Sequence, residues 1–256
     1  MRHLVTSILL LLLFSVGCAQ VQKPVNQAQQ PSEQAQQPLD DATLKELRLA
    51  PSENLQLQPG DTYQFNLTVV ECCYVSKTVK AAATWSIAPS GGAHIDSRTG
   101  LLTVDKSTPN DSVFTVTADV ENGRRSLSIK VYVYTPKDNP LVGIWKEKSQ
   151  IKCRSNETLT STAPIQELEF GADNTFSVTW TPFEKYQDYW GSYSYDTQKG
   201  QIKFVVAGGN NVPPNIVGEG SFSIDDKQNL ILKGVWLGSK SGGVKPDICS
   251  IVFSRH

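Results

Sequence analysis

Few residues of this 256-residue chain carry the side chains that catalysis usually needs. Of its three histidines, His94 and His256 lie outside the first eighteen residues, and neither has a serine or cysteine nucleophile motif beside it. No HExxH or CxxC spacing indicates a metal site. Glu167 and Glu169 alternate on one face of a predicted strand; such a pair could serve a glycosidase, but a solvated strand face is favoured. We therefore predict that the protein is not an enzyme and needs no metal or cofactor.

Aromatic side chains are concentrated on one short stretch of the chain. Five of them fall within eleven residues: Trp180, Phe183, Tyr186, Tyr189 and Trp190. Rings on a loop can gate a cavity, stack on sugars or anchor a protein partner. Alternatively, Trp180 and Tyr189 complete a core while Phe183 and Tyr186 pack the loop down. We predict that a small apolar ligand, or a protein or glycan partner, binds at Phe183, Tyr186, Tyr189 and Trp190.

The first eighteen residues have the pattern of a secretory signal peptide. Arg2 precedes a mostly apolar run from Leu4 to Val16, which is shorter than the about 20 residues of a membrane-spanning helix. The run ends at Gly17-Cys18, which resembles a bacterial lipobox. The resemblance implies cleavage before Cys18, acylation of Cys18 with fatty acids such as palmitate, and a membrane anchor. Ala19, in place of aspartate, resembles lipoproteins exported to the outer membrane, at its periplasmic face or the cell surface. An ordinary signal peptide cut nearby is the alternative.

Residues 19–44 are predicted to form a disordered tether. Between residues 19 and 40 there are eight glutamines and three prolines and no apolar periodicity. The whole chain has 24 Lys+Arg and 25 Asp+Glu, so removal of Arg2 with the signal peptide leaves 23 against 25. Because no basic excess is present, the sequence does not predict nucleic-acid binding.

Residues 45–135 are predicted to form a β-sandwich of about seven short strands. Tyr63, Phe65 and Leu67 alternate as a half-buried strand requires. Four motifs follow in order: Ala-Thr-Trp-Ser at 83–86, Ala-His-Ile-Asp at 93–96, Gly-Leu-Leu-Thr-Val at 100–104 and a strand from Thr115. These motifs resemble the bacterial Ig-like group 2 family. The resemblance implies a spacer module without catalytic residues, in which Trp85 belongs to the core.

Beyond a linker at residues 136–140, residues 141–256 are predicted to form an eight-stranded antiparallel up-and-down barrel. The strand candidates are 142–150, 165–171, 175–182, 189–196, 201–208, 217–224, 229–237 and 248–255. Short turns alternate with longer connections, so the short turns gather at a closed end and the long loops at an open mouth. The aromatic stretch belongs to one of the long mouth loops.

Cysteine positions give a separate prediction about the barrel. Besides Cys18 the chain has four cysteines, which permit three connectivities: Cys72, Cys73, Cys153 and Cys249. When two residues face each other in an antiparallel ladder, the sum of their residue numbers is constant along the ladder. This sum is nearly the same for Cys153 and Cys249 as for Trp145 and Arg255. We therefore predict a Cys153–Cys249 disulfide between the first and last strands. Cys72 and Cys73 cannot both take part in a disulfide within one core, because neighbouring residues of a strand face opposite sides. A vicinal disulfide, a free thiol and a link to another chain remain open for that pair.

The start of the predicted barrel carries a further resemblance. Leu141-Val142-Gly143-Ile144-Trp145 is similar to the Gly-x-Trp opening of lipocalin-like (calycin) barrels. Segments 169–176 and 191–196 resemble the hairpins of small lipocalin-like bacterial domains. The resemblance implies that Gly143, Trp145 and Arg255 form the structural signature of the closed end, with the tryptophan packed under the arginine.

These features favour a lipid-anchored, non-enzymatic protein of the bacterial cell envelope. The Ig-like domain would be a spacer, and the barrel would bind a small apolar ligand or a partner protein. The alternatives are a structural or adhesive surface lipoprotein with a filled barrel, and a periplasmic protein inhibitor. Small-molecule binding fails if large inward side chains fill the barrel, at Phe176, Val178, Phe204, Phe222 and Trp236.

Overall fold

A computed structural model of the chain describes residues 38–70, 75–183, 186–242 and 247–256. In this part of the chain the fold is all-β, as predicted, with nineteen strands and one short helix. No helix among these residues is long and apolar enough to cross a membrane. The predicted signal peptide and Cys18, the tether as far as residue 37, and Cys72 and Cys73 lie outside the described residues.

The helix α1 (Asp41–Glu46) corrects the predicted end of the tether at residue 44. Its N-cap is Asp40, whose carboxylate accepts a hydrogen bond from the Thr43 backbone N–H at 2.6 Å. Leu44 and Leu47 are buried in the N-terminal core. Capping and these two leucines therefore order the chain earlier than its glutamine-rich composition suggested.

In the N-terminal region, residues 41–133, the described residues form ten strands, more than the about seven predicted. They are β1 (Arg48–Ala50), β2 (Leu55–Leu57), β3 (Thr62–Gln64), β4 (Asn66–Val70), β5 (Ser76–Thr78), β6 (Ala83–Ala88), β7 (Ala93–Ile95), β8 (Leu101–Val104), β9 (Val113–Val120) and β10 (Arg125–Val133). Three sheets result, ordered β1-β4-β5, β3-β8-β7 and β2-β10-β9-β6. The predicted strand from Tyr63 to Leu67 is divided, since β3 pairs with β8 and β4 pairs with β1 and β5.

One hydrophobic core holds the N-terminal region together. Trp85 is buried in it, as the Ig-like resemblance implied, and stacks on Phe65 with ring centroids 5.9 Å apart. Gly100 has φ +74°, and a Cβ there would come within 2.7 Å of the Trp85 indole. Only glycine fits this position without displacing the ring.

The linker after β10 is tied to the residues on both sides of it. Thr135 donates its backbone N–H to the Asn110 side chain at 2.9 Å. Asn139 is 1% exposed, and its Nδ2 donates to the hydroxyl of Tyr193 at 3.0 Å. Hydrogen bonds on either side therefore hold this segment, from Thr135 to Asn110 and from Asn139 to Tyr193.

The C-terminal region, residues 141–256, is one antiparallel sheet. Its strands are β11 (Gly143–Lys152), β12 (Thr158–Leu159), β13 (Glu167–Phe170), β14 (Thr175–Thr179), β15 (Tyr189–Asp196), β16 (Gln201–Gly209), β17 (Glu219–Ile224), β18 (Leu230–Lys233) and β19 (Ile248–Arg255). From β13 to β19 each strand pairs with the next, and β11 pairs with both β13 and β19. Hydrogen bonds therefore run around a ring of eight strands, the eight-strand ring, with short β12 paired to β11.

Two of these strands end earlier than predicted. The candidate at 175–182 ends at Thr179, because the backbone N–H of Trp180 donates to the Asp188 side chain at 2.8 Å. The candidate at 229–237 ends at Lys233, because Gly234 has φ +76° and turns the chain. The other six candidates overlap β11, β13, β15, β16, β17 and β19.

The ring is closed by the β11–β19 ladder and by a disulfide. Trp145 pairs with Arg255 at one end and Lys152 with Ile248 at the other, with two register shifts between them. Cys153 and Cys249 are disulfide-bonded at the latter end, with their Cα atoms 4.8 Å apart. The predicted Cys153–Cys249 disulfide is confirmed.

Candidate functional site

The interior of the eight-strand ring is occupied by side chains. All five inward positions that decide whether a cavity exists are at most 8% exposed: Phe176, Val178, Phe204, Phe222 and Trp236. They belong to one hydrophobic cluster, in which Phe176 and Phe204 pack edge to face with centroids 4.9 Å apart. This packing leaves the inward positions little room for a ligand.

Two buried tyrosines tie the interior to the backbone of the ring. The Tyr189 hydroxyl donates to the carbonyl of Leu237 at 2.6 Å, and β15 lies three strands away from the segment after β18. The Tyr193 hydroxyl donates to the carbonyl of Gly171 at 2.9 Å. Burial raises the pKa of both phenols above the ordinary value. Both tyrosines therefore act as neutral hydrogen-bonding groups that fill the ring.

The residues of the predicted closed-end signature lie together. The Arg255 guanidinium is 4.6 Å from the centroid of the Trp145 ring, and Trp145 Nε1 donates to Leu141 O at 2.6 Å. Arg255 also donates to the carbonyls of Pro140 and Val142, each at 3.0 Å. Gly143 has φ +126°, and a Cβ there would be 3.0 Å from the guanidinium. This cluster therefore fastens the linker to the last strand and has a structural role.

The mouth loop, residues 180–190, is organised by one buried carboxylate. Asp188 is 4% exposed and accepts hydrogen bonds from the Trp180 backbone N–H at 2.8 Å and the Tyr186 hydroxyl at 3.2 Å. Its backbone carbonyl accepts from the N–H groups of Asn210 and Asn211. Both ends of the loop are thereby held to the ring.

Three of the four long connections meet at one end of the ring. Lys240 donates to the Thr181 hydroxyl at 2.7 Å, which joins the β18–β19 connection to the mouth loop. Asn210, after β16, donates its side-chain N–H to the carbonyl of Gln187 at 2.9 Å. The mouth loop is therefore part of a cluster of connected loops.

The structure separates the four aromatic residues that were predicted to bind a ligand or partner. Phe183 is 73% exposed, and Tyr186 and Trp190 are each 40% exposed. Tyr189, in contrast, is fully buried, because it begins β15 on the inward face. Its assignment as a contact residue is corrected: its ring belongs to the core and cannot meet a partner. Trp190 follows on the outward face, so it lies apart from the loop tip.

A cleft of about 760 Å³ between the N-terminal four-stranded sheet and the eight-strand ring was not foreseen from the sequence. One wall is formed by Gln56, Thr115 and Lys130, and the other by Glu169, Ser177 and Trp190. The Ala172 backbone N–H donates to Gln56 Oε1 at 2.6 Å and joins the two regions beside it. In the sequence, the feature that could have indicated this cleft is the pair Glu167 and Glu169, which lie on one face of β13 as predicted.

The electrostatics of the cleft are dominated by carboxylates. Partial burial of Glu169 is the main cause that raises its pKa, and the nearby charges of Glu53, Glu167 and Asp173 raise it further. Lys130 is a cation that lines the same space. The cleft is therefore polar and carries more acidic than basic groups.

His94 and the Glu167–Glu169 pair, which were considered for catalysis, lie in different regions of the structure. His94 is exposed and lies 3.6 Å from the Asp105 carboxylate, at the surface of the N-terminal region. In the described residues, no cluster of three or more His, Cys, Asp or Glu side chains is arranged to hold a metal ion.

Comparisons with known proteins give no family for this chain. No protein-family model matches it, and no curated protein matches it significantly. Among the matching solved structures is a structural-genomics protein of unknown function from Bacteroides ovatus, 11% identical, over 82% of this chain and 92% of that chain. Others are protocadherin gamma B7 cadherin domains 1–4 (13% identical, 82% of this chain and 49% of that chain) and human protocadherin-24 EC1-2 (12%, 81% and 94%). All three have a TM-score of 0.26, which is too low to support an inference about fold or function.

Proposed function

We propose that the chain is a lipid-anchored, non-enzymatic envelope protein that holds a partner protein at the mouth loop. In this proposal the N-terminal region is an Ig-like sandwich that serves as a spacer, and the eight-strand ring is a lipocalin-like barrel. The ring of strand pairs and the Arg255–Trp145 contact support the barrel assignment. Cys18 would attach the chain to the outer membrane.

The filled interior is the observation that carries this proposal. A lipocalin-like barrel binds small apolar molecules in its interior, and here aromatic side chains occupy that space. The filled interior favours binding on the outer surface over the small-ligand hypothesis. It also suits a structural or adhesive surface lipoprotein, which is the second candidate.

Phe183 is the side chain best placed to contact a partner protein. It is the most exposed large hydrophobic residue of the described chain. Its loop is anchored by Asp188 and by the Lys240–Thr181 hydrogen bond, and a backbone hydrogen bond joins Tyr186 N to Phe183 O at 3.0 Å. Anchored aromatic residues lose little conformational entropy on binding, which favours their use as anchors in interfaces.

A photo-crosslinking amino acid introduced at position 183 in cells tests this function. The matched control is Ile144, which is 39% exposed but lies near the Arg255 end of the ring. We expect a discrete crosslinked band from position 183 that is missing from position 144. Equal products from both positions would contradict the proposal, and no product from position 183 would favour the structural candidate.

A further inference from the structure

We propose that the cleft between the N-terminal sheet and the eight-strand ring binds an uncharged glycan chain, with Trp190 as the stacking platform. This site is separate from the partner contact proposed at Phe183, because it uses Gln187 and Trp190 at the far end of the mouth loop together with the outward faces of strands. Its volume of about 760 Å³ falls within the roughly 300–1,000 Å³ typical of ligand sites.

The orientation of the Trp190 indole is the first observation. Three adjacent ring atoms, Cζ2, Cε2 and Nε1, lie 3.5, 3.6 and 3.7 Å from the position that a Cβ of Gly208 would take. These distances place that position out of the plane of the indole, above its Nε1–Cζ2 edge. The indole therefore leans over Gly208, which pairs with Trp190 on the neighbouring strand β16.

A partly exposed indole is suited to stacking on a sugar ring. Trp190 is 40% exposed and lines the cleft, whereas the other four tryptophans are at most 6% exposed. The apolar face of a sugar ring can stack on an aromatic ring, while its hydroxyls need hydrogen-bonding groups around the rim. A Cβ at Gly208 would lie in ordinary van der Waals contact with the indole, so the ring packs against this strand.

The walls supply the hydrogen-bonding groups that sugar hydroxyls need. Hydroxyl-bearing residues line both walls, Thr115 and Ser128 on one side and Thr175 and Ser177 on the other. The hydroxyls of Ser128 and Thr175 already bond Thr117 and Asp173, and a hydroxyl so engaged can still accept a hydrogen bond from a sugar. Gln187, beside the platform, adds an amide with both a donor and an acceptor. Glu169 adds carboxylate acceptors, and it is held near Ser177. A concave site with one aromatic platform and many neutral polar groups fits a polyhydroxylated ligand.

The charges select against acidic glycans. Glu53, Glu169 and Asp173 line the cleft, and Lys130 is the cation among its described lining residues. A uronic acid or sulfated sugar would meet net negative charge beside the partly buried Glu169. The ligand is therefore expected to be a chain of neutral hexoses or N-acetylhexosamines.

Tryptophan fluorescence of the full protein gives a direct assay. Since Trp190 is the one tryptophan with substantial exposure, ligand binding should shift its emission and protect it from acrylamide quenching. The probes are neutral hexose and N-acetylhexosamine oligosaccharides, with oligogalacturonate as the acidic comparison. We expect saturable changes with at least one neutral probe and none with the acidic one. A response to the acidic probe alone, or no response to any probe, overturns the proposal.

Variants test whether the probe binds in the cleft. Binding is measured by isothermal calorimetry, which does not depend on Trp190 emission. Trp190→Ala should weaken binding of the responding probe by roughly tenfold or more, as expected for loss of a stacking contact. Glu169→Gln should weaken binding less than Trp190→Ala does. This variant tests the contribution of the cleft wall while Trp190 is intact. The control is Val205→Ala, on the outer face of β16 and 51% exposed. Retained affinity in both cleft variants, with unchanged urea unfolding, would refute the site.

Discussion

Removal of the Cys153–Cys249 disulfide should destabilise the protein without disturbing its folded structure. Both cysteines are exposed at the edge of the ring, so the double substitution Cys153→Ser/Cys249→Ser leaves no buried cavity. The β11–β19 ladder from Trp145 to Lys152 still closes the ring in the folded state. The effect of the substitution should therefore arise mainly in the unfolded chain, which gains conformational freedom.

The size of the effect follows from the length of the loop that the disulfide closes. The two cysteines are 96 residues apart in the sequence. For a loop of this length the chain-entropy relation gives about 4.7 kcal/mol of stabilisation at 25 °C, which is an upper figure because native strain would reduce it. With a urea dependence of roughly 2–3 kcal/mol per molar, the unfolding midpoint should fall by roughly 1.5–2.5 M.

Equilibrium urea unfolding, followed by tryptophan fluorescence, measures this change. Wild type in reductant and the double serine variant without reductant should have the same lowered midpoint. Reductant added to the double variant is the control, and it should change nothing unless a second disulfide exists. A fall in stability of less than about 1 kcal/mol would refute the loop-entropy argument.

Three further predictions concern single residues. Tyr189→Phe should lower the free energy of unfolding by about 1–2 kcal/mol, because the carbonyl of Leu237 loses its buried donor. Phe183→Ala should change the same free energy by no more than about 0.5 kcal/mol, because the ring is exposed. A larger loss from Phe183→Ala in urea unfolding would show that this ring packs against the protein. Burial raises the pKa of Glu147, so the folded state binds its proton more tightly than the unfolded state does. The free energy of unfolding should therefore fall as pH rises above 4.5 towards the folded pKa. In Glu147→Gln this fall between about pH 4.5 and 7 should be smaller, and equal slopes for the two proteins would contradict the burial argument. A palmitate analogue should label the wild type and not Cys18→Ala, and equal labelling of both would exclude lipidation at Cys18.

Much of the C-terminal region could be predicted from the sequence, because its turns and its register are local properties. Alternating apolar residues and hairpin turns placed the strands to within a few residues, and the numbering of Trp145, Arg255 and the two cysteines predicted the seam. The early end of β14 could not be predicted. The end of β14 depends on Asp188, whose side chain accepts a hydrogen bond from the backbone N–H of Trp180, eight residues earlier in the sequence.

In the N-terminal region the sequence predicted alternation but not the partners of each strand. Tyr63 and Leu67 have the spacing of one strand, yet β3 and β4 pair in different sheets. The helix α1 was missed because Leu44 is stabilised by a core built from residues far along the chain. Tertiary packing, and not local propensity, decides both features.

The aromatic stretch shows why the candidate site could only be predicted in part. Tyr189 and Trp190 are adjacent on β15, so strand alternation requires one to face inward and the other outward. The sequence could not show which of the two faces inward, because that depends on the register of β15 with β14 and β16. The structure resolves this by burying Tyr189, and three roles follow from one short segment. Tyr189 fills the ring, Trp190 faces the cleft and Phe183 remains exposed at the loop tip. Because these side chains point in different directions, substitutions at Phe183 and Trp190 should impair the two proposed binding activities independently.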